Sequence, residues 1–218
     1  MSVLQIIVGT TRPTRQADRV AGWVASAGGS HESFDVEVVD LREWALPFFS
    51  EHFGTIGDIT DPTYSAPLVR AWNRKIGEAD AYLVVTGEYN HSIPAVLKNA
   101  IDSVWVSHAF RNKPVAAVGY SAGIGGGIRA IEHLAQIMIE AEAAPLRSAV
   151  VMPFVNDAFD EAGLPKDPVT RAGLDVTLDD LAWWSAALKQ ARADGELPPG
   201  RNRMREAMLR AQAAGSAS

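Results

Sequence analysis

The chain has 218 residues, of which 47% are hydrophobic and 21% are charged, so it is long enough to bury the core of one large domain. It contains no cysteine, which excludes disulfide bridges, thiolate metal ligands and thiol nucleophiles. The formal net charge of -6 argues against a broad nucleic-acid-binding surface, although a few arginines in one loop can still hold a small anion.

The first predicted strand covers residues 3–8, which are apolar except for Gln5. An apolar run that does not alternate with polar residues is typical of a strand buried on both faces of a parallel sheet. No leader with a cleavage site precedes this run, and no apolar run approaches the ~20 residues of a membrane helix. We therefore expect a cytoplasmic protein without a membrane span.

Strand and helix patterns alternate along the rest of the chain. Further strands are predicted at residues 36–40, 81–86, 115–119 and 148–152. Helices are predicted at residues 18–27, 68–77, 92–106, 128–141 and 178–193, with a short helix or a mobile tail at 204–213. This alternation predicts an α/β protein with a doubly wound, five-stranded parallel sheet and helices on both faces. Residues 1–195 are expected to form this domain, and residues 196–218 a C-terminal tail.

Ligands of doubly wound sheets bind beyond the carboxyl ends of the strands. Three loops at that edge can be placed from the sequence, after the first, third and fourth strands. A further segment, residues 41–67, is long and irregular, and loops of that length are often functional.

The first loop, residues 9–15, reads Gly-Thr-Thr-Arg-Pro-Thr-Arg and leads into a predicted helix. The N–H groups at a helix start favour an anion, and a well-placed charged hydrogen bond adds about 1.5–3 kcal/mol. The spacing of a Walker loop or a dinucleotide fingerprint is absent. We interpret this loop as a phosphate site formed by Thr10, Thr11, Arg12, Thr14 and Arg15. The alternative is that Thr14 caps the helix and the arginines are solvated.

The second loop, residues 87–94, reads Gly-Glu-Tyr-Asn-His-Ser-Ile-Pro. It can present backbone and amide groups to a flat heterocycle, or it can be an ordinary turn in which Ser92 caps the next helix. The third loop, residues 121–127, contains four glycines that allow a backbone to approach a ligand closely. Its spacing does not match the dinucleotide-binding pattern.

These loops resemble those of the NADPH-dependent FMN reductase family of flavodoxin-like proteins, which includes quinone, azo-dye and chromate reductases. The resemblance rests on residues 9–15 and, more specifically, on the run Glu-Tyr-Asn-His-Ser-Ile-Pro-Ala-Val-Leu-Lys-Asn-Ala-Ile-Asp at residues 88–102. Residues 113–127 support it, and it covers about residues 3–152. Gly87 stands where the family commonly has proline, and Ala95 where it commonly has glycine.

The resemblance implies a flavodoxin-like fold that holds FMN at all three loops. The implied ligands are Thr10, Arg12, Thr14 and Arg15 for the phosphate, Glu88, Tyr89, Asn90 and His91 for the ring, and Ser121 and Gly123 for its pyrimidine end. The ring contacts are expected to come largely from backbone groups.

The implied reaction is a ping-pong cycle, in which NADPH or NADH passes a hydride to the flavin and a quinone, flavin, azo compound or similar acceptor then receives two electrons. This chemistry takes place at flavin N5 and requires no catalytic side chain and no metal. A homodimer or homotetramer is also implied. Two alternatives stay open, a non-enzymatic flavodoxin-like electron carrier and a flavin-responsive regulatory protein. The arginines of the first loop and the segment 41–67 favour the reductase over the carrier.

Overall fold

Five parallel strands form one sheet at the centre of the computed structural model, which describes residues 1–57 and 62–215. The strands are β1 (Ser2–Val8), β2 (Phe34–Asp40), β3 (Ala81–Gly87), β4 (Pro114–Tyr120) and β5 (Ala144–Met152). Their order across the sheet is β2-β1-β3-β4-β5, and every neighbouring pair is parallel. The predicted five-stranded parallel sheet is confirmed.

The central strands are apolar because neither of their faces meets water. All seven residues of β3 and all seven of β4 are buried. In β1 the polar Gln5 is also buried, and its amide nitrogen donates to the Lys75 carbonyl at 2.7 Å and to Glu37 at 3.0 Å. These bonds offset the cost of burying that part of a polar side chain.

Helices cover both faces of the sheet, as the alternating pattern predicts. The helices are α1 (Ala17–Gly29), α2 (Pro67–Gly77), α3 (Ala95–Asp102), α4 (Ile128–Glu140), α5 (Pro168–Gly195) and α6 (Gly200–Gly215). One apolar cluster joins α1 and α5 to one face of the sheet. A second cluster joins α2, α3 and α4 to the other face, with Trp72, Leu97 and Leu134 among its buried members.

The predicted helix at 92–106 is shorter at both ends in the structure, where α3 spans Ala95–Asp102. Pro94 is the N-cap residue, with extended backbone angles. Tyr89 and Ser92 exchange backbone hydrogen bonds in a turn, so Ser92 does not cap the helix as the alternative interpretation allowed. Residues 103–112 continue as turns.

The predicted helix at 178–193 begins ten residues earlier in the structure, where α5 starts at Pro168. Asp167 caps it, because its carboxylate accepts the N–H groups of Val169 at 3.0 Å and Thr170 at 3.1 Å. The pair Asp167–Pro168 is typical of a helix start, so the sequence did contain a signal for this boundary. The rest of the predicted polar connection, from residue 156, contains the isolated bridge between Phe159 and Pro165.

The C-terminal helix α6 lies on the surface, whereas the described part of segment 41–67 contributes buried residues. No residue of α6 is buried, and its first N–H, from Gly200, donates to Glu142 at 2.6 Å. Residues 58–61 lie outside the described part of segment 41–67, whose residues Ile56 and Tyr64 form a small core with Val69. Within the described ranges, no helix is both long and apolar enough to cross a bilayer.

Asp80, just before β3, ties α5 to the amino end of the sheet. Its carboxylate accepts hydrogen bonds from Lys189 at 2.7 Å, Arg192 at 2.7 Å and the Val3 N–H at 3.1 Å. The Asp80 side chain is only 13% exposed. Burial acts to raise the pKa of Asp80, but the hydrogen bonds from Lys189 and Val3 outweigh it and hold this pKa below its usual range.

Replacement of Asp80 by asparagine is expected to lower the free energy of unfolding by about 1–3 kcal/mol at pH 7, because two cations lose their carboxylate partner. A pKa lowered in the folded state stabilises the fold above the unfolded-state pKa of roughly 3.9. This stabilisation is lost as the pH falls through the lower, folded-state value. Urea unfolding at pH 7 and at the lowest pH where the protein stays folded checks both points. Glu78→Gln, in a more exposed ion pair, is the control. A deficit of equal size at both pH values would contradict the assignment.

Candidate functional site

The first and second loops lie together where the strand order reverses between β1 and β3. The Thr10 hydroxyl and the Tyr89 hydroxyl are 2.6 Å apart and share a hydrogen bond. Thr10 is fully buried. The side chain of Thr10 therefore joins the two loops to each other.

The first loop presents a bare helix start. Gln16 is the N-cap of α1 and makes no side-chain cap. Among the described residues, the N–H groups of Thr11, Arg12 and Thr14 have no hydrogen-bond acceptor, and all three residues are exposed. The Arg12 guanidinium lies over the Tyr89 ring at 5.3 Å from its centroid. These groups can bind an anion together with the positive end of the helix dipole.

Arg15 occupies a different environment from Arg12. Its side chain is 2% exposed and makes hydrogen bonds to Asp18, to Asp40 and to the Thr10 carbonyl. Burial acts to lower the pKa of Arg15, but the bonds to Asp40 and Asp18 outweigh it and raise this pKa. Arg15 in turn helps to hold the pKa of Asp40 below its usual range against the effect of burial. The guanidinium is therefore fully engaged inside the loop, and it fixes the loop's shape.

The second loop is a tight turn. The Tyr89 and Ser92 backbones exchange hydrogen bonds of 2.9 and 3.1 Å, and the two central residues, Asn90 and His91, have φ values of 48° and 72°. Positive φ at both central positions is typical of a type I′ turn, which asparagine tolerates well. The Glu88 N–H donates to the Tyr120 carbonyl at 3.1 Å. Asn90 and His91 are exposed at the tip of the turn.

Behind this turn, the Glu88 carboxylate is buried with a side-chain exposure of 7%. Arg129, in the first turn of α4, contacts it at 2.5 Å. His133, one turn further along α4, lies 2.9 Å from the Ser92 hydroxyl through its Nδ1 atom. The first two turns of α4 therefore hold the second loop from the side.

The third loop packs its glycines against the sheet. Gly126 and Gly127 have φ values of 59° and 89°, which L side chains rarely adopt. A Cβ atom on Gly127 would overlap the Gly119 and Tyr120 backbones. Ser121 donates its hydroxyl to the Gly123 carbonyl at 2.9 Å, so that side chain also serves the loop itself. Gly123 is exposed, and its N–H has no acceptor within residues 1–57 and 62–215.

The three loops thus bring all eleven sequence-predicted residues to one edge of the sheet, but in two groups. Thr10, Arg15 and the Ser121 hydroxyl make internal bonds, whereas Thr11, Arg12 and Thr14 face outward. Sequence reasoning missed Asp18, Asp40, Arg129 and His133. It also missed Arg42, whose guanidinium donates to the Arg12 carbonyl at 2.7 Å and to Asp18 at 3.3 Å. The position of Arg129, immediately after a glycine loop at a helix start, was the one available signal.

A hollow of about 510 Å³ lies along α3, which begins directly after the second loop. It is lined by Phe48, Phe49, Ala95, Lys98, Asn99, Asp102 and Trp105. Phe48 is 86% exposed and Trp105 is 40% exposed. The segment 41–67 therefore contributes an aromatic wall next to the candidate site. Among the described residues, no three His, Asp or Glu side chains are grouped to hold a metal ion.

Comparison with known proteins shows the family of the chain. The model of the family described as NADPH-dependent FMN reductase matches residues 1–157. The chain belongs to this family. Both the resemblance found in the sequence and the prediction of an oxidoreductase are confirmed.

Individual relatives agree with the family. The chain is 35% identical over 176 residues to an NAD(P)H-dependent FMN reductase of Schizosaccharomyces pombe, covering 80% of this chain and 79% of that protein. It is 34% identical over 159 residues to a Pseudomonas aeruginosa protein of the same description, covering 71% and 80%. Among solved structures, the flavoenzyme NAD(P)H:(acceptor) oxidoreductase of Paracoccus denitrificans has a TM-score of 0.67 at 20% identity, covering 86% of this chain and 98% of that one. This last likeness concerns the fold.

Replacement of Gly127 by alanine is expected to lower the free energy of unfolding by about 2 kcal/mol or more, because a Cβ atom there meets backbone and φ is positive. Gly123→Ala is the matched control in the same loop, since its Cβ atom would meet nothing within 4 Å. Chemical denaturation of both variants makes the comparison. Equal losses in the two variants would contradict the close packing of the third loop.

Proposed function

We propose that this protein binds FMN and passes two electrons from NADPH or NADH to a quinone, flavin, azo compound or similar small acceptor, by a ping-pong hydride mechanism. The single observation that supports this most is the Thr10–Tyr89 hydrogen bond. It places the bare helix start of the first loop directly beside the turn of the second loop. An anion site next to an exposed polar turn suits a ligand that has a phosphate at one end and a flat ring at the other.

The phosphate would be held by outward-facing groups of the first loop. These are the backbone N–H groups of Thr11, Arg12 and Thr14, the hydroxyls of Thr11 and Thr14, and the Arg12 guanidinium. Thr10 and Arg15 would act indirectly, because their polar atoms already bond within the protein. This revises the role that the sequence suggested for both side chains.

The ring would lie against the second and third loops. Asn90 and His91 expose their backbone at the turn, and Glu88 and Tyr89 form its base. The exposed N–H of Gly123, with Ser121 beside it, would meet the pyrimidine end. Bound FMN supplies the hydride chemistry, and the chain supplies position, hydrogen bonds and exclusion of water. Backbone donors aimed at the pyrimidine end would stabilise negative charge there.

The open aromatic hollow favours the reductase over an electron carrier. Its volume of about 510 Å³ leaves room for a small acceptor or a nicotinamide along α3. Two relatives are described by such acceptors, a 2-hydroxy-1,4-benzoquinone reductase of a Burkholderia species and an NAD(P)H:quinone oxidoreductase of Solanum tuberosum. A homodimer or homotetramer in the cytoplasm stays a prediction.

Removal of the Arg12 guanidinium by Arg12→Ala is expected to weaken FMN binding on the order of tenfold, or about 1.4 kcal/mol, without a change in thermal midpoint. Arg15→Ala is expected to weaken FMN binding and also to lower the midpoint, because Asp18 and Asp40 lose their shared cation. Flavin fluorescence titration and thermal unfolding measure the two effects. Arg74→Ala, at an exposed position on α2, is the control. Undiminished FMN affinity in the Arg12 variant would place the phosphate elsewhere.

The absorbance spectrum of the FMN-loaded protein, followed during anaerobic mixing with NADPH or NADH, tests the reaction itself. Loss of the flavin band with one nicotinamide, and its return on addition of a quinone, are expected. A flavin band that stays constant with both nicotinamides would contradict the proposed cycle. Tight FMN binding without turnover would instead favour the regulatory alternative.

A further inference from the structure

We propose that Arg129 is a positioning residue that clamps the second loop to the third loop by neutralising the buried carboxylate of Glu88. This inference deepens the proposed function, because FMN is the ligand whose binding reports the clamp. Arg129 lies on α4, outside the three loops, and it acts through Glu88 and through the loop backbones.

The Arg129 guanidinium lies between the two loops. Its Nη2 atom is 2.5 Å from Oε1 of Glu88, and its Nη1 atom is 3.4 Å from Nδ1 of His91, so both contacts reach the second loop. On its other side, a Cβ atom placed on Gly125 would lie 2.5 Å from Nη2. The guanidinium therefore lies next to the third loop, in space that a side chain at position 125 would enter. One side chain touches both walls of the candidate ring site.

Arg129 is the cation that lies against the Glu88 carboxylate. Within the described ranges, Oε2 of Glu88 is buried and has no hydrogen-bond partner, and the same is true of Nε of Arg129. Among the residues that the structure describes, the ion pair is thus the one interaction of the carboxylate, although the Glu88 side chain is only 7% exposed. A buried carboxylate whose single cation is removed is strongly disfavoured in its charged form.

Other ionisable side chains lie close to Glu88. His91 lies on the same loop as Glu88, His133 and Arg129 lie on α4, and Tyr120 on β4 accepts the Glu88 N–H through its carbonyl. Burial raises the pKa of Tyr120, so its hydroxyl stays neutral near pH 7.

Loss of the clamp has a specific consequence for binding. Without Arg129, the second loop can open so that the Glu88 carboxylate is hydrated. Binding of FMN closes the loop again and forces Glu88 either to take up a proton or to be buried charged. FMN binding would then be coupled to proton uptake, and its affinity would fall as the pH rises. In the wild-type protein the guanidinium removes this coupling.

The test compares Arg129→Met, the double variant Arg129→Met with Glu88→Gln, and Arg129→Lys with the wild-type protein. FMN dissociation constants are measured by flavin fluorescence between about pH 5.5 and about pH 8.5. Relative to wild type, Arg129→Met is expected to bind on the order of tenfold more weakly at the upper pH, and to recover most of this loss at the lower pH. The double variant is expected to bind FMN more tightly than Arg129→Met at the upper pH and to lose the pH dependence of the single variant, and Arg129→Lys to fall between Arg129→Met and wild type. Arg74→Met, on the exposed side of α2, is the control.

Three results would overturn the proposal. These are an Arg129→Met affinity equal to wild type at every pH, a double variant no better than the single one, and a pH dependence that persists in the double variant. The last result would assign the pH dependence to a group other than Glu88.

A second measurement separates this proposal from the proposed function. Hydrogen exchange of the FMN-free protein is expected to become faster in residues 88–92 and 121–127 together when Arg129 is replaced by Met, because the clamp holds both loops. Unchanged exchange in either loop would overturn the clamp, whether or not the protein binds FMN. If the wild-type protein binds no FMN, and exchange is nevertheless faster in the Arg129→Met variant, the proposed function alone would be contradicted.

Discussion

Complete burial of the central strands decides where this protein can contact a ligand. All residues of β3 and β4 are covered by helices or neighbouring strands, so neither strand presents a side chain to solvent along its length. Backbone groups within the sheet are paired with each other. Polar groups that reach a ligand therefore collect in the loops at the carboxyl edge. The reversal of strand order between β1 and β3 opens a crevice there, and the Thr10–Tyr89 hydrogen bond lies in that crevice.

Buried charges shape the loops around this crevice. Arg15 is held by Asp18 and Asp40 in the first loop, and Glu88 is held by Arg129 behind the second. A charge taken out of water is stable only when it is paired, so each pair ties its loop to the segment that carries the partner charge. The exposed side chains, Arg12 foremost, remain available for a ligand. Charges within these loops therefore divide into those that hold the structure and those that can bind.

The sequence predicted a large part of the fold because its signals there are local. Apolar runs located β1, β3 and β4, and the central strands β3 and β4 are buried on both faces. The edge strands β2 and β5 are only partly buried, and β5 begins at Ala144, four residues before the predicted start at 148. The errors lie where local patterns compete. Apolar periodicity continues from residue 92 to 106, but the turn at Tyr89–Ser92 and Pro94 delay the start of α3 to Ala95. The Asp167 cap places the start of α5 ten residues before the predicted start. This cap was present in the sequence, but the polar residues after it led to the prediction of a connection there.

The candidate site also combines features that the sequence predicts with features that only the fold decides. By itself, the sequence determined the three loops, the helix start that favours an anion and the motif at residues 88–102 that indicates the family, because each of these depends on adjacent residues. Only the tertiary structure decided that Arg15 faces inward while Arg12 faces outward, and that Arg129 reaches back to Glu88. Those outcomes depend on pairings between distant segments, such as Arg15 with Asp40, and a linear pattern does not encode which charges meet when the chain folds.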